Sequence, residues 1–410
     1  MEAKYKHLLR EPIESSMRLA ILQQSYGRFG GAERLFFFHY TQMKRMKTDV
    51  TAFYTGRIAD GWGERLKGEV IEPMPSGISG DFRQFGHLRR FLSRLRDFDR
   101  ILIHHHVEPV LAYYISKFLG PRTIWYSGSM FELPWQGVIT GLDYRRISPT
   151  VGRTSTEFYG PIVSRLLLSN GLYRFTTSVA KAIDIATVRG YGKILANSVF
   201  LSKFLVHVYN LKKTPKVVYP GADPLFERLA SRQPAEEQDY MLAVGSLVPL
   251  KNFESIIRAA AAIQTAKLVF VGDGQDKSKL KDLASKLDVP VEFRGNLDHE
   301  YDLATAYSEC KFLVLLSLYE TFGLTPVEAG LFSKTAIVTS SGGPPEVIVD
   351  GVTGFVVDPV NHQLVRDKMN LLLANDSLRR KMGHLSRENI LRNFTLERST
   401  AQLIEELESS

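Results

Sequence analysis

Residues Ser317 to Glu346 read SLYETFGLTPVEAGLFSKTAIVTSSGGPPE. The run before them, Phe312 to Leu316, is apolar throughout and predicts a buried strand. Thr321 to Leu324 predicts a turn around Gly323, and a helix is expected from about Pro326 to Phe332, because proline is tolerated at a first helical position. Ala336 to Thr339 predicts a second strand, followed by a Gly-Gly-Pro-Pro loop at Gly342 to Pro345 and another helix opened by Glu346. Strand, polar loop, helix, strand, glycine loop, helix is a parallel α/β pattern. Such sheets bind ligands at the carboxyl ends of their strands, and two carboxylates, Glu320 and Glu328, flank one of these loop–helix junctions.

The chain around this stretch has 410 residues, 44% of them hydrophobic and 23% charged, which suits two folded domains. Cys310 is the single cysteine; no intrachain disulfide can form, and its place before a core strand predicts a buried thiol in a reducing compartment. The polar start is unlike a signal peptide, and no run of 18 apolar residues predicts a transmembrane helix. A cytoplasmic location, or one on the cytosolic face of a membrane, is expected. The formal net charge of +8 points to anionic partners. Without zinc-finger spacing, an RNP-like strand or a Walker A loop, nucleic acid is not an expected partner; anionic substrates and lipid head groups account for the charge.

Toward the N-terminus, Arg18 to Gln23 predicts a first strand, SYGRFGGAE (Ser25 to Glu33) a glycine turn, and Ala32 to Met43 a helix. Backbone amides at such a turn can hold an anion, with Gly30, Gly31 and Arg28 as candidate phosphate contacts. In Asp81 to Arg100, Phe82, Phe85, Leu88, Leu92 and Leu95 recur at helical spacing among six arginines. Two readings stay open: a basic amphipathic helix on an anionic membrane, or a helix packed on the sheet with a solvated basic face. The second is preferred, because such stripes are ordinary core. His104, His105 and His106 follow a strand at Ile101 to Ile103; adjacent side chains on an extended chain alternate faces, so no metal site is expected. One of the three, near the strand end, is a candidate to touch substrate in the cleft, and Glu108 is a nearby polar candidate for the same cleft. Thr123 to Tyr126 predicts another strand; for Phe131 to Thr156, with Trp135, Tyr144, Arg145 and Arg146, two readings stay open, an ordered lid or acceptor wall, and plain packing. Tyr159 to Leu168 reads as a helix.

Toward the C-terminus, strands are expected at Lys193 to Ala196, Lys216 to Tyr219, Tyr240 to Gly245, Lys267 to Val271 and Val291 to Phe293. Lys251 lies just before an amphipathic helix, placed to reach a phosphate that also meets helix-start amides.

The stretch that opens this section, together with Gly272-Asp273-Gly274, the Gly30-Gly31 turn and Asn197-Ser198, resembles retaining glycosyltransferases of the two-Rossmann-domain type, specifically family 4, across nearly the whole chain. That family places two glutamates with seven residues between them where Glu320 and Glu328 stand. The resemblance implies a GT-B fold, α/β, with two Rossmann-like domains whose parallel sheets face across a cleft. Its boundaries are residues 1–220 for an acceptor-binding domain, joined by a C-terminal helix at 391–410, and 221–390 for a nucleotide-sugar-binding domain; Pro220, Gly221 and Asp223 match the crossing, and Gly351 to Val357 resembles the family's closing hairpin-like segment.

The resemblance also implies roles. Lys251 and amides near Gly30-Gly31 meet the donor diphosphate, Glu328 takes the ribose hydroxyls, and Glu320 holds a sugar hydroxyl near the reacting face. Gly245, Ser246, Gly272, Asp273, Gly323, Leu324 and Thr325 line the donor, with Arg294, Gly295 and Leu297 beside the base. The mechanism retains anomeric configuration and requires no divalent metal; the nucleotide sugar is a co-substrate, GDP-mannose or a UDP-sugar, with a likeness to mannosyltransferases of lipid-linked oligosaccharide assembly. The acceptor is a saccharide or a lipid-linked one. The sequence departs from the pattern twice: Ser246 stands where relatives have an arginine, and Ser127-Gly128-Ser129 where many have a histidine. The rivals are a sugar-nucleotide epimerase and a non-catalytic sugar-nucleotide-binding subunit.

Overall fold

A computed structural model describes residues 17–24, 31–56, 58, 66–75, 82–105, 107–128, 170–231, 236–263, 267–297 and 300–409. The strands β1 Arg18–Gln24, β2 Asp49–Thr55, β3 Ile71–Glu72, β4 Arg100–His104, β5 Thr123–Ser127, β6 Lys193–Ala196 and β7 Lys216–Val217 form one sheet in the order β3-β2-β1-β4-β5-β6-β7. A second sheet, in the order β10-β9-β8-β11-β12-β13, comprises β8 Met241–Val244, β9 Leu268–Val271, β10 Val291–Gly295, β11 Phe312–Leu315, β12 Ala336–Thr339 and β13 Gly354–Val357. Every pairing within both is parallel. Counted from its own first strand, each sheet has the 3-2-1-4-5-6 order of a doubly wound fold, the first adding a seventh strand. This is the two-Rossmann-domain, GT-B architecture.

The helices among the described residues are α1 Gly31–Arg45, α2 Phe82–Leu95, α3 Pro109–Leu119, α4 Asn170–Arg189, α5 Val199–Tyr209, α6 Pro224–Ala230, α7 Phe253–Ala260, α8 Lys277–Lys286, α9 Glu300–Glu309, α10 Leu324–Leu331, α11 His362–Ala374, α12 Asp376–Asn393 and α13 Leu396–Glu408. They cover both faces of each sheet, which is why the inner strands carry unbroken apolar runs. In β11 alternate residues enter different cores: Phe312 and Val314 join Phe253 of α7, while Leu313 and Leu315 join Tyr307 of α9 and Val327 of α10.

The last helix returns to the first lobe. Leu396, Leu403 and Leu407 are buried in one cluster with Phe36, Phe37 and Met43 of α1. Lys193 and Lys216 both pair with Glu406, at 3.1 and 2.8 Å. The crossing is fixed by the Ala222 amide, which donates to Phe394 O at 2.8 Å.

Four expectations need correction. Glu346 does not open an α-helix: Pro344–Glu346 is a single 3-10 turn, and the Glu346 carboxylate is committed elsewhere. The segment from Gly351 to Val357 is not a hairpin; it turns into an edge strand parallel to β12. The strand after Lys216 stops at Val217. A 20-residue helix, α4, stands where no element was predicted. Of the apolar stripe of α2, Leu88 and Leu95 are buried and Leu92 packs on the core, with Phe91 buried edge-on to Phe53; the side chains of Phe82 and Phe85 lie outside the described ones. Cys310 is buried, and burial pushes its thiol up to about 12. The predicted segments 131–156 and 159–168, with Trp135, Tyr144, Arg145 and Arg146, lie outside the described residues.

Candidate functional site

The second sheet reverses strand order between β8 and β11, and the loops leaving these two strands are tied together. Asn252 donates from its side chain to Leu316 O at 3.0 Å, and the Leu318 amide donates to Leu250 O at 2.8 Å. These bonds set the 3-10 turn Pro249–Lys251 beside the start of the Glu320 loop. Lys251 Nζ forms an ion pair with the Glu320 carboxylate, and both side chains stay partly open to solvent. Gly342 and Gly343 pin the same loop from the β12 side. The Gly343 amide donates to Glu320 O at 2.9 Å, and a Cβ on Gly342, whose φ is +90°, would fall 2.0 Å from that oxygen. Only glycine meets both demands.

α10 begins at Leu324, just after Gly323, two residues before the expected start. Its Glu328 is 6% exposed. Tyr307 donates its hydroxyl to Glu328 Oε2 at 2.6 Å, and Arg34 Nη1 lies 3.5 Å from Oε1. Burial pushes the Glu328 carboxyl up; Arg34 and the Tyr307 hydrogen bond pull it down, and Asp223 adds to the rise. Arg34 comes from α1 in the first lobe, so the charge on this buried carboxylate is set across the two lobes. At the start of α1, a Cβ on Gly31 would lie 3.6 Å from Leu324 Cδ1. The first turns of α1 and α10 therefore abut.

The Glu320 loop is also bound to the first lobe. Thr321 donates its hydroxyl to Gly128 O at 2.8 Å, and Ser198 donates to Thr321 O at 2.6 Å. Asn197 donates to Gly128 O at 3.1 Å. Glu346 accepts from the amides of Val199 and Phe200, both at 2.8 Å, and from the Tyr219 hydroxyl at 3.0 Å. A second-lobe carboxylate thus caps the first turn of α5.

The remaining predicted residues divide. Gly245, Gly272 and Gly295 knit the ends of β8, β9 and β10: the Gly245 amide donates to Val271 O at 2.9 Å and that of Gly272 to Gly295 O at 2.7 Å. Ser246 is exposed beside them, and Leu297 and Thr325 are half-buried. Asp273 accepts from the Gly274 amide at 2.8 Å and pairs with Lys277 at 3.3 Å. Arg294 pairs with Glu292 at 2.9 Å and lies 5.2 Å from the Tyr240 ring centre. Arg28 and Gly30 lie outside the described residues. A cleft of about 190 Å³, lined by Val248, Pro249, Asn252, Asp276, Lys279 and Leu318, opens nearby and includes none of the predicted donor residues.

Of the histidine triplet, His104 is fully buried. It faces Gln23 Oε1 and His39 Nδ1, each at 2.9 Å, and His39 in turn faces Ser399 Oγ at 2.9 Å. Burial lowers His39 to about 3 and His104 well below its ordinary value. His105 takes a φ of 63°, and its ring fills the space over Gly128, where a Cβ would lie 1.8 Å from Cε1. His106 lies outside the described residues. Glu108 caps α3, accepting from the Leu111 amide at 3.0 Å. Among the described residues, no group of three or more His, Cys, Asp or Glu side chains is placed to hold a metal ion.

Sequence reasoning passed over Arg34, Thr321 and Glu346. Arg34 carried a signal, since a cation in the first turn of a helix opposes the helix dipole. The other two are marked only by contacts between distant segments.

Residues 227–389 match the family model described as glycosyl transferases group 1. The match takes in Lys251, Glu320 and Glu328, and it covers less than half of the chain. The chain is 32% identical over 173 residues to the N-acetyl-alpha-D-glucosaminyl L-malate synthase of Bacillus anthracis, covering 41% of this chain and 45% of that protein. It is 28% identical over 229 residues to a GDP-Man:Man(3)GlcNAc(2)-PP-Dol alpha-1,2-mannosyltransferase of Xenopus laevis, covering 49% and 47%. The chain thus spans about half the length of these relatives. Among solved structures it superimposes on Anabaena Alr3699/HepE in complex with UDP-glucose with a TM-score of 0.68 at 19% identity, covering 96% of this chain and 100% of that one. This likeness establishes the fold.

Proposed function

We propose that the protein is a retaining glycosyltransferase that moves a hexose from a nucleotide sugar to a saccharide or lipid-linked acceptor. The observation that carries this reading is the Lys251–Glu320 ion pair at the strand-order reversal of the second sheet, on a loop hydrogen-bonded to the facing lobe. In this reading residues 221–390 form the donor domain, and residues 1–220 with 391–410 form the acceptor domain.

Transfer places growing negative charge on the leaving diphosphate and growing positive charge at the anomeric carbon. Lys251 Nζ and the amides at the first turns of α1 and α10 meet the diphosphate, where fixed donors are most effective in a water-poor cleft. Donor binding draws Lys251 away from Glu320, which frees that carboxylate to accept from a sugar hydroxyl and to orient the ring. Glu328 accepts from the ribose hydroxyls. The leaving phosphate serves as base for the acceptor, the charge being met without a divalent metal. Apposition of the lobes holds both substrates in reacting geometry. With Ser246 offering no cation, Lys251 carries the side-chain share of diphosphate binding at this loop.

The relatives' printed names include GDP-mannose for one and a UDP-glucose complex for another, and GDP-mannose or a UDP-sugar is the donor class proposed here. The exposed arginines of α2, Arg89, Arg90 and Arg94, with Arg96 just after it, support a peripheral location on an anionic membrane surface at the cytosolic face. No helix among the described residues is long and apolar enough to cross a membrane.

The test is a thermal-shift screen against GDP-mannose, UDP-glucose, UDP-galactose, UDP-N-acetylglucosamine and the free nucleotides, followed by assays of donor hydrolysis and transfer. One donor family should raise the melting temperature by mass action. Glu320→Ala should cut turnover by about 100-fold or more, the scale of a lost transition-state contact. Binding without transfer or hydrolysis would make the protein a sugar-nucleotide-binding subunit. Full activity in Glu320→Ala would remove the role given to that residue.

A further inference from the structure

The ion cluster at the first turn of α1 links the two lobes through a residue with no share in the scheme above. Arg34 lies in the first turn of a 15-residue helix, where exposed amides already present partial positive charge and a cation is disfavoured. It is held there from several sides. Its guanidinium donates to Asp223 Oδ2 at 3.1 Å and lies 3.5 Å from Glu328 Oε1. It also sits 5.8 and 5.6 Å from the ring centres of Phe38 and Phe226, within cation–π range. Asp223 is 3% exposed and also caps α6 by accepting from the Leu225 amide at 2.8 Å, so its carboxylate is a fixed anchor.

Resting on the donor-site reading above, we infer that Arg34 is a positioning residue for donor recognition: it keeps the Glu328 carboxylate charged and aimed, so that the second lobe grips a nucleotide fully only with the first lobe seated against it. The chemistry is that of a carboxylate facing two ribose hydroxyls. Ionised, it offers acceptor sites on both oxygens; protonated, it gives up part of that capacity. Glu328 faces Arg34 from α1, Tyr307 from α9 and Asp223 from the crossing segment, and burial acts against its charge. Without Arg34, burial and Asp223 are opposed by the Tyr307 hydroxyl alone, and the carboxyl takes up its proton at higher pH.

The experiment is calorimetric titration of UDP and of GDP into the 410-residue protein between pH 5.5 and 8.5. Wild type is compared with Arg34→Met, Arg34→Lys and Asp223→Asn, each checked for folding by circular dichroism. Arg34→Met should bind the accepted nucleotide about tenfold more weakly near neutral pH, the scale of a hydrogen bond to a charged group. Its acidic limb should move to higher pH relative to wild type, with affinity recovering at the alkaline end. Arg34→Lys should keep the wild-type limb, and Asp223→Asn should move it to lower pH. A loss in Arg34→Met that is uniform across pH, or no loss, would overturn the inference alone. If Arg34→Met does not fold, Asp223→Asn decides: a limb that stays put or moves up overturns it. Failure of wild type to bind either nucleotide would overturn the donor-site reading and the inference with it.

Discussion

His39 and His104 form a closed hydrogen-bond chain whose proton count can be worked out. Ser399 donates its only hydroxyl proton to Tyr219 O at 2.6 Å, so His39 must donate from Nε2 to Ser399 Oγ. Its Nδ1 then accepts from His104 Nε2–H. A neutral chain therefore needs the Gln23 amide turned over, so that its nitrogen, in place of Oε1, faces His104 Nδ1 and donates to it, which also satisfies that otherwise unpaired nitrogen. Both rings are neutral in the folded protein, because burial lowers them. A histidine lowered by folding binds fewer protons than in the unfolded chain, so its contribution to stability falls as pH drops below the unfolded value of about 6.5. For His39 that window runs down to about 3. Urea unfolding should show wild type losing about 2 kcal/mol through this residue between pH 6.5 and 5. His39→Gln, though less stable at pH 7.5, should show a shallower decline. Parallel curves for the two proteins would reject the account. At this scale Lys251 and Glu320 were legible because their motifs are short in sequence. Arg34 stood out only as a cation in a helix's first turn; its anchor Asp223 lies 189 residues away, and no local pattern announces the pair.

Among the elements, the inner strands were legible because a parallel strand covered on both faces must be apolar throughout. The helix α4 was missed for the opposite reason. It carries Thr176, Thr177, Val179, Ile183, Ile185, Thr187 and Val188, residues that lose side-chain freedom in a helix. Packing overrides the preference: Val188 enters the core of the first lobe, and Ser116 of α3 donates to Thr187 O at 2.7 Å. The expected helix at Glu346 is a single 3-10 turn followed by the β-branched run Val347, Ile348 and Val349, which disfavours helix. α2 was read both ways, and its burial decides which face is available. Its leucines and Phe91 are spent on the core, and its exposed face among the described residues carries Arg89, Arg90 and Arg94. The proposed membrane contact is then electrostatic. Flotation with anionic vesicles should succeed at low salt and fall steeply toward 0.5 M salt, where screening is about complete within a few ångströms. It should vanish when Arg89, Arg90 and Arg96 are changed to Gln. Salt-resistant binding, or none at low salt, would count against it.

For the whole molecule, the two-lobe architecture was foreseen, whereas the seam between the lobes was not. That seam runs through Thr321, Ser198, Asn197 and Glu346, with Phe200 edge-on to Tyr319 at 5.5 Å. Glu346 is the charged member of these links, an anion on the amides of a helix start, worth about 0.5–2 kcal/mol. Glu346→Ala should loosen the lobes without unfolding either. Small-angle scattering should then give a larger radius of gyration, and kcat/KM for transfer should fall about tenfold. An unchanged scattering curve would show that other contacts hold the lobes.

The return of α13 has a consequence for how the protein is made. A ribosome delivers the first lobe's strands early, yet the leucines that seal one side of them, Leu396, Leu403 and Leu407, emerge after the entire second lobe. Until then Phe36 and Phe37 lack part of their cover. The lobe synthesised first is completed last, and during translation its open side is where a chaperone would bind.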